Sequence, residues 1–264
     1  MSGYIELSYL DLALASLLLF FNAGLSLLLD LRLERQMLLA ALRMTVQLLL
    51  VGLVLQALFN SGSLLLTALV ALVMALFAGR EIMARQERRL AGWWGYSIGS
   101  TAMLLAGTVA TMLALNGALR PAPWYDPRYA IPLFGMILGN AMTGISLGLD
   151  SLTSLARQER AGIEAQLILG ATRWRALQPV AQRALRTGFT PMLNSMAAAG
   201  VVFLPGMMTG QILAGVVPEQ AVKYRSLLLL LIAGATGLGI LTAIMASIWR
   251  LTDSHDRLRL DRLR

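Results

Sequence analysis

The chain has 264 residues, of which 57% are hydrophobic and only 14% are charged. Soluble domains carry charges on about a quarter of their residues, so this composition excludes a soluble globular protein and predicts an all-α integral membrane protein. The sequence contains no cysteine, which excludes disulfide bonds and thiolate metal sites. The formal net charge of +8 is explained by membrane topology and by attraction to anionic membrane lipid, with no nucleic-acid partner.

The apolar segments predict about seven transmembrane helices, because a helix of roughly 20 residues crosses a hydrocarbon core about 30 Å thick. The run from residue 44 to residue 79 is too long for one crossing, and the turn residues Asn60–Ser63 divide it into a hairpin. The predicted spans are Leu10–Leu29, Leu38–Phe59, Leu64–Ala78, Ser97–Leu115, Ile131–Leu149, Thr187–Leu204 and Ser226–Trp249.

The arginines predict the orientation, because basic residues are retained on the cytoplasmic side of a membrane. Most of the 22 basic residues fall in alternate loops and in the C-terminal tail. This pattern predicts a multi-pass protein of the cell inner membrane with its N-terminus outside and its C-terminus in the cytoplasm. We expect a single permease domain over residues 1–264, with a cytoplasmic segment at about 150–186 and a cytoplasmic basic tail at about 250–264.

The predicted fifth span, Ile131–Leu149, combines closely spaced glycines with one polar side chain, Asn140. The glycine spacing predicts close packing of helix backbones. An amide at membrane depth is costly unless it is paired, so we expect Asn140 to face the bundle interior or a water-filled cavity. Met136 and Met142 flank it, although methionines at helical spacing more often fill gaps in a core than bind a ligand.

The predicted sixth span contains Pro205 and Gly206, so we expect its helix to break near Leu204 and to resume at Met207. Broken helices at membrane depth occur where protein or water satisfies the freed backbone groups. This segment is therefore a candidate substrate gate, with an ordinary external loop as the alternative. The candidate pathway residues are Asn140, Met136, Met142, Asn194, Pro205, Gly206, Met207, Met208 and Gln211, and the sequence leaves any metal ligands unknown.

The cytoplasmic segment carries an apolar stripe at intervals of three and four residues between Ile163 and Ala181. Gly170 is suited to end one helix and Thr172 to begin the next. We therefore predict two short helices joined by a sharp turn, a shape that docks into a groove on a soluble partner. The alternative is an amphipathic helix lying on the lipid surface.

The sequence lacks the residues for chemistry of its own. A P-loop needs a lysine after its second glycine, and the only lysine is Lys223 in AVKYR. The single histidine, His255, does not build a metal site alone, and no Ser/His/Asp set falls within the spans. We therefore predict that the chain is not an enzyme.

The pair Glu164–Ala165, followed by Gly170, resembles the Glu-Ala-Ala…Gly signature of ABC transporter permeases. Whole blocks resemble one family, the permease of the bacterial Fet-type iron exporter, whose plant relatives act in aluminium tolerance. These blocks are ALRMTVQLLLVGLVL (Ala41–Leu55), IPLFGMILGNAMTGISLGLDSL (Ile131–Leu152), LILGATRWRA (Leu167–Ala176) and LPGMMTGQILAGVVPEQAVKYR (Leu204–Arg225).

The resemblance implies a half-transporter that exports iron or another metal, with two copies of this chain and a separate ATPase subunit. ATP and Mg would be held by that partner, and no cofactor is expected in this chain. The residues that the resemblance assigns to coupling with the ATPase are Glu164, Ala165, Gly170, Ala171, Thr172 and Trp174.

Two positions depart from the family pattern. Pro179 lies where the second cytoplasmic helix should continue, so we expect that helix to end or kink early. Arg225 stands where relatives tend to carry Gln.

The choice of iron as the substrate rests on the resemblance alone, because Fe(II) favours imidazole and carboxylate ligands, which the spans almost lack. The alternatives are a permease for a non-metal solute, a scaffold permease without cargo, and an ion-coupled transporter without an ATPase.

Overall fold

The computed structural model describes residues 8–86, 89–201, 206–253 and 255–263, which form nine α-helices joined by short connections. A π-helical turn, Ala114–Leu119, follows α4, and a short 3-10 helix, Leu260–Arg262, lies in the C-terminal tail. The helices are α1 Tyr9–Leu28, α2 Glu34–Ser61, α3 Leu64–Ala84, α4 Trp94–Leu113, α5 Pro127–Gln158, α6 Arg160–Ile168, α7 Arg173–Ala198, α8 Gly206–Leu213 and α9 Pro218–Leu251.

Six of the described helices are long and apolar enough to cross a membrane. They are α1, α2, α3, α4 with its π-helical turn, α5 and α9, and they confirm an all-α, multi-pass membrane protein. The predicted span Thr187–Leu204 is not among them, because it covers only the second half of α7, a helix that begins at Arg173. A crossing at this segment and the N-outside orientation therefore stay predictions.

The break in the predicted sixth span occurs earlier than expected. α7 ends at Ala198, before the predicted break at Leu204, which lies outside the described residues together with Pro205. α8 begins at Gly206, one residue before the predicted restart at Met207. Pro179 does not end the preceding helix: α7 runs through it, and Pro179 lies on an exposed face.

The contacts divide the chain into two compact units, and the single permease domain stays a prediction. Unit 1 runs to Gly62 and takes in Leu213–Gly215, and unit 2 comprises Ser63–Ile212 and Val216–Arg264. In unit 1, α1 and α2 form a hairpin whose turn is held by Ser26. The hydroxyl of Ser26 accepts from the backbone N–H of Leu33 at 3.0 Å and donates to a Glu34 carboxylate oxygen at 2.9 Å.

α5 lies at the centre of unit 2, where it contacts α3, α4, α7 and α9. Ile145 and Leu152 on its inner face are fully buried. α5 and α7 cross at two glycines: a Cβ atom built on Gly144 would lie 2.9 Å from the carbonyl oxygen of Gly188. The predicted close packing is confirmed at Gly144, whereas Gly139 has no heavy atom of another element within 4 Å of an added Cβ.

One end of unit 2, here called the basic end, gathers the α3–α4 loop, the α6–α7 turn and the C-terminal tail. The backbone N–H of Ala91 donates to the carbonyl of Arg262 at 2.7 Å, which ties the tail to the loop. The side chain of Arg173 at the start of α7 pairs with Asp256 of the tail at 2.6 Å. The tail, predicted only as basic, is therefore folded against the bundle. Backbone N–H groups of Arg257 and His255 donate to Asp253 and lower the pKa of its carboxyl.

Candidate functional site

The turn between α6 and α7 has a defined hydrogen-bonded geometry. Gly170 adopts a positive φ of 87°, which glycine accepts at no steric cost. Its N–H donates to the carbonyl of Leu167, and the N–H of Ala171 donates to the carbonyl of Gln166, both at 3.0 Å. This is a Schellman ending, so the predicted role of Gly170 in stopping the helix is confirmed.

Thr172 occupies the N-cap position of α7, as predicted, although its side chain makes no capping hydrogen bond. Ala171 completes the turn between the two helices. The second helix is not short, because α7 continues from Arg173 to Ala198 over roughly 39 Å. The segment predicted as a cytoplasmic loop is therefore the end of α5, the whole of α6 and the first half of α7.

Two apolar side chains project from the turn at the basic end. Ile168 is 85% exposed and Leu169 is 86% exposed, and we call this pair the apolar tip. Trp174, one of the predicted coupling residues, is half-exposed just beyond it. Apolar side chains that pack into no core mark a site of contact with another protein or with lipid.

The turn is fixed to the bundle by burial and by ion pairs. Ile163 of α6 and Leu177 of α7 are buried in the main core cluster of unit 2. The carboxylate of Glu164 forms an ion pair with Arg160 of the same helix at 2.8 Å. Ala165, the next residue, is exposed. The turn is therefore held in place by packed side chains on both of its helices.

α5 and α7 also carry several polar side chains on the outer sides of their contact, here called the polar face, with the exposed Leu147 among them. The two helices run antiparallel, and the contact of Gly144 with Gly188 fixes their register. In that register Asn140 lies at the level of Asn194, about the middle of the α5 span. The members of the polar face are Asn140, Thr143, Ser151, Thr187, Thr190 and Asn194.

The hydroxyls of Thr143, Thr187 and Thr190 each donate to the backbone carbonyl four residues earlier, at 3.2, 3.0 and 2.8 Å, so the incompletely hydrogen-bonded groups on this face are the two amides. The side-chain amide of Asn140 donates to the carbonyl of Met136 at 2.8 Å, which leaves its carbonyl oxygen free of any recorded bond. Ser151 and Thr187 share a hydroxyl contact of 3.5 Å across the two helices. No hydrogen bond of the Asn194 side chain is recorded among the described residues. Because unpaired amides are costly in lipid, this face requires water or a protein partner.

In the single chain Asn140 does not lie inside the bundle, and the predicted alternative, that it faces a water-filled cavity, stays a prediction. Asn140 and Asn194 are both exposed, on the surface where α5 and α7 meet. The sequence analysis also missed the hydroxyls of Thr143, Thr187 and Thr190. The spacing of Thr187, Thr190 and Asn194 along one helical face was the signal that could have found them.

The other candidate pathway residues are distributed over different parts of unit 2. Met142 packs against the main core cluster and Met136 against the second cluster, so both fill gaps between helices. Gly206, Met207 and Met208 lie in α8. Pro205 lies outside the described residues.

Gln211 of α8 lies away from the polar face, at the end of unit 2 opposite the basic end. It lines a cavity of about 360 Å³ together with Leu119, Gln220 and Tyr224. Of the predicted set, the structure therefore places only the two asparagines at a similar level of one exposed surface. Within the described residues, no three His, Cys, Asp or Glu side chains are close enough to hold a metal ion.

Comparison with known proteins identifies relatives over nearly the whole chain. The sequence model of the "Uncharacterised protein family (UPF0014)" matches residues 9–251. A UPF0014 membrane protein of Synechocystis is 36% identical over 83% of this chain and 84% of its own length. Protein ALUMINUM SENSITIVE 3 of Arabidopsis thaliana is 34% identical over 81% of this chain and 76% of its own length. The probable iron export permease protein FetB of Escherichia coli is 29% identical over 89% and 88%. No solved structure matches this chain.

Proposed function

The chain belongs to the UPF0014 family of membrane proteins, and from that membership we propose that it is the membrane subunit of an ATP-driven iron exporter. In this proposal, two copies of the chain form the pathway and a separate ATPase subunit supplies the energy. The observation that carries it is the continuity of α7, which joins the apolar tip at one end to the polar face at the other.

The apolar tip supports docking of a soluble subunit. Ile168 and Leu169 contribute little to the fold, since each keeps more than four fifths of its surface exposed. Arginines surround the turn, and they complement an acidic rim on a partner. The sequence contains no P-loop, so energy from ATP would have to enter through such a contact.

The polar face supports a pathway between two copies. In lipid, the exposed amides of Asn140 and Asn194 are unfavourable, whereas a facing copy or a water-filled cleft satisfies them. Amide and hydroxyl oxygens are weaker ligands for Fe(II) than imidazole or carboxylate. Weak ligands suit a pathway, because a transported ion has to leave each position that it occupies.

In this mechanism the ATPase moves the apolar tip, and α7 acts as a rigid lever. The lever pivots where Gly188 crosses Gly144, since the backbones lie closest there. Movement at the basic end then changes the distance between the polar faces of the two copies. Inward- and outward-open states would exchange by rigid-body motion of packed helices.

Iron retention in cells tests the proposed substrate. Cells that lack the gene, loaded with an iron salt, are expected to retain about twofold more iron than cells that express the wild-type chain. A variant with Asn140→Leu and Asn194→Leu should fail to lower the retained iron, because it removes both amides from the pathway. Retained iron is measured by elemental analysis of washed cells.

Asn116→Leu is the matched control for this variant. The Asn116 amide donates to the carbonyl of Met112 at 3.0 Å, as the Asn140 amide does to Met136, but Asn116 lies outside the polar face. We expect N116L to export iron normally. Equal iron retention with and without the wild-type gene would contradict iron as the substrate, and co-purification of an ATPase would then point to another solute.

Gly170 provides a test of coupling. Valine at this position would have to adopt a left-handed backbone conformation, which costs about 1–2 kcal/mol. The cost is conformational and not steric, because no neighbouring atom lies within 4 Å of an added Cβ. We expect the Gly170→Val permease to insert normally and the proposed complex with the ATPase to hydrolyse ATP without transport, because the tip no longer holds its angle to α7. The readout is the ratio of iron transported to ATP hydrolysed in proteoliposomes with the ATPase. Gly162→Val is the control, because an added Cβ there also meets no atom within 4 Å but the backbone φ is helical. It should keep the wild-type ratio of iron transported to ATP hydrolysed. Unimpaired transport by G170V would count against the coupling role of Gly170.

A further inference from the structure

A groove of about 370 Å³ lies between α7 and α9 at the basic end. Its mouth is polar and its floor is apolar, and its residues fall into two groups. Thr172, Trp174, Arg175 and Gln178 line the mouth. Ala181, Leu185, Leu241, Ile244, Met245 and Ile248 line the floor.

Part of the floor of the groove belongs to a helix suited to cross a membrane. Leu241 and Met245 belong to α9, one of the six helices suited to cross a membrane, and both are about half exposed. From Trp174 to Leu185, α7 rises roughly 16 Å, about half the thickness of a hydrocarbon core. The groove therefore has the length and the apolar lining to accept one acyl chain of one leaflet.

The mouth of the groove carries the positive charge of Arg175. Arg173 is engaged with Asp256, but no acidic partner of Arg175 is recorded among the described residues. A guanidinium group binds phosphate through two parallel hydrogen bonds. Trp174 beside it is the residue type that favours the boundary between head groups and hydrocarbon.

We propose that this groove binds one anionic phospholipid of the leaflet at the basic end. Its phosphate pairs with Arg175, and one acyl chain lies along Ala181 and Leu185 against α9. A soluble partner does not reach Leu241 and Met245, so lipid is the occupant that fits the whole groove. Because α7 carries the apolar tip, a bound lipid also restrains the lever, a consequence that rests on the proposed function; the binding itself does not.

Quenching of tryptophan fluorescence by brominated lipid tests the proposal on the purified full chain in detergent. We expect saturable quenching by brominated phosphatidylglycerol, with an affinity about fivefold higher than that of brominated phosphatidylcholine. The difference between wild type and Trp174→Phe isolates the signal of Trp174. Arg175→Gln should weaken phosphatidylglycerol binding about tenfold, because a charge-assisted pair is lost.

Arg35→Gln is the matched control, since it removes one arginine charge outside the groove and should leave binding unchanged. Ala181→Phe fills the floor without adding a tryptophan and should remove the saturable signal. Unchanged binding by R175Q, or equal affinity for the two head groups, would overturn the proposal. If R175Q does not fold, the affinities of the wild-type chain for the two head groups decide whether the groove prefers an anionic lipid. Quenching that is equal for both head groups and decreases when the ATPase subunit is added would instead show that the ATPase binds in the groove.

Discussion

A chain carrying Ile168→Asp and Leu169→Asp is expected to insert into the membrane and to lose its ATPase. Both side chains are more than four fifths exposed, so their replacement removes almost no packing from the permease itself. In a complex, each would bury its surface in the partner, and a fully buried Leu or Ile contributes about 1.5–3 kcal/mol. Losing both therefore corresponds to a decrease in affinity of roughly 100-fold or more.

The measurement is co-purification of the ATPase with the affinity-tagged permease, followed by iron export in cells. Val217→Asp is the matched control, because Val217 is also an exposed apolar residue, 62% accessible, in the loop before α9 at the opposite end of unit 2. We expect V217D to retain the ATPase. Undiminished co-purification with the double variant would show that the apolar tip is not the docking site.

Gly144→Ala is expected to destabilise the permease by about 2 kcal/mol, which is a large effect for a single added methyl group. Its Cβ would lie 2.9 Å from the backbone carbonyl oxygen of Gly188 and 2.9 Å from side-chain atoms of Ile240 and Thr236. A side chain moves aside cheaply, but a backbone carbonyl moves only with its helix. The variant therefore has to separate α5 from α7 at their crossing.

Thermal unfolding of the detergent-purified chain measures this effect, and Gly139→Ala supplies the comparison. Gly139 lies in the same helix, and a Cβ atom there meets nothing within 4 Å. Alanine favours a helix over glycine by up to about 1 kcal/mol, so G139A should be neutral or slightly stabilising. If both alanine variants unfold at the same temperature, the close crossing of α5 and α7 is not a determinant of stability.

The turn at Gly170 was predictable because its cause is local. A glycine followed two residues later by a threonine specifies a helix stop and a helix start within four residues. The same local reasoning failed at Pro179. Proline removes one backbone N–H donor from the helix. α7 is nevertheless held by buried residues such as Leu177 and Val180, whereas Pro179 lies on the exposed side of the helix. Tertiary packing outweighs the local preference there.

The helix of the predicted sixth span begins earlier than the span for a related reason. The sequence analysis began this helix after Arg186, where the apolar residues begin, but the structure extends it back to Arg173. Arginine is a good helix former, so the charge that marks a membrane boundary does not end a helix. The functional consequence is that one helix connects the apolar tip to the polar face, which the span pattern alone did not reveal.

The sequence by itself determined the helical membrane architecture, the clustering of arginines in alternate loops and the position of the α6–α7 turn. These depend on composition, periodicity and local backbone preference, which each segment carries within itself. Only the tertiary structure decided that Asn140 and Asn194 meet at one level of an exposed surface. Their register is set by Gly144 packing on Gly188, two residues 44 positions apart, whose contact depends on shape complementarity between helices and not on either segment alone.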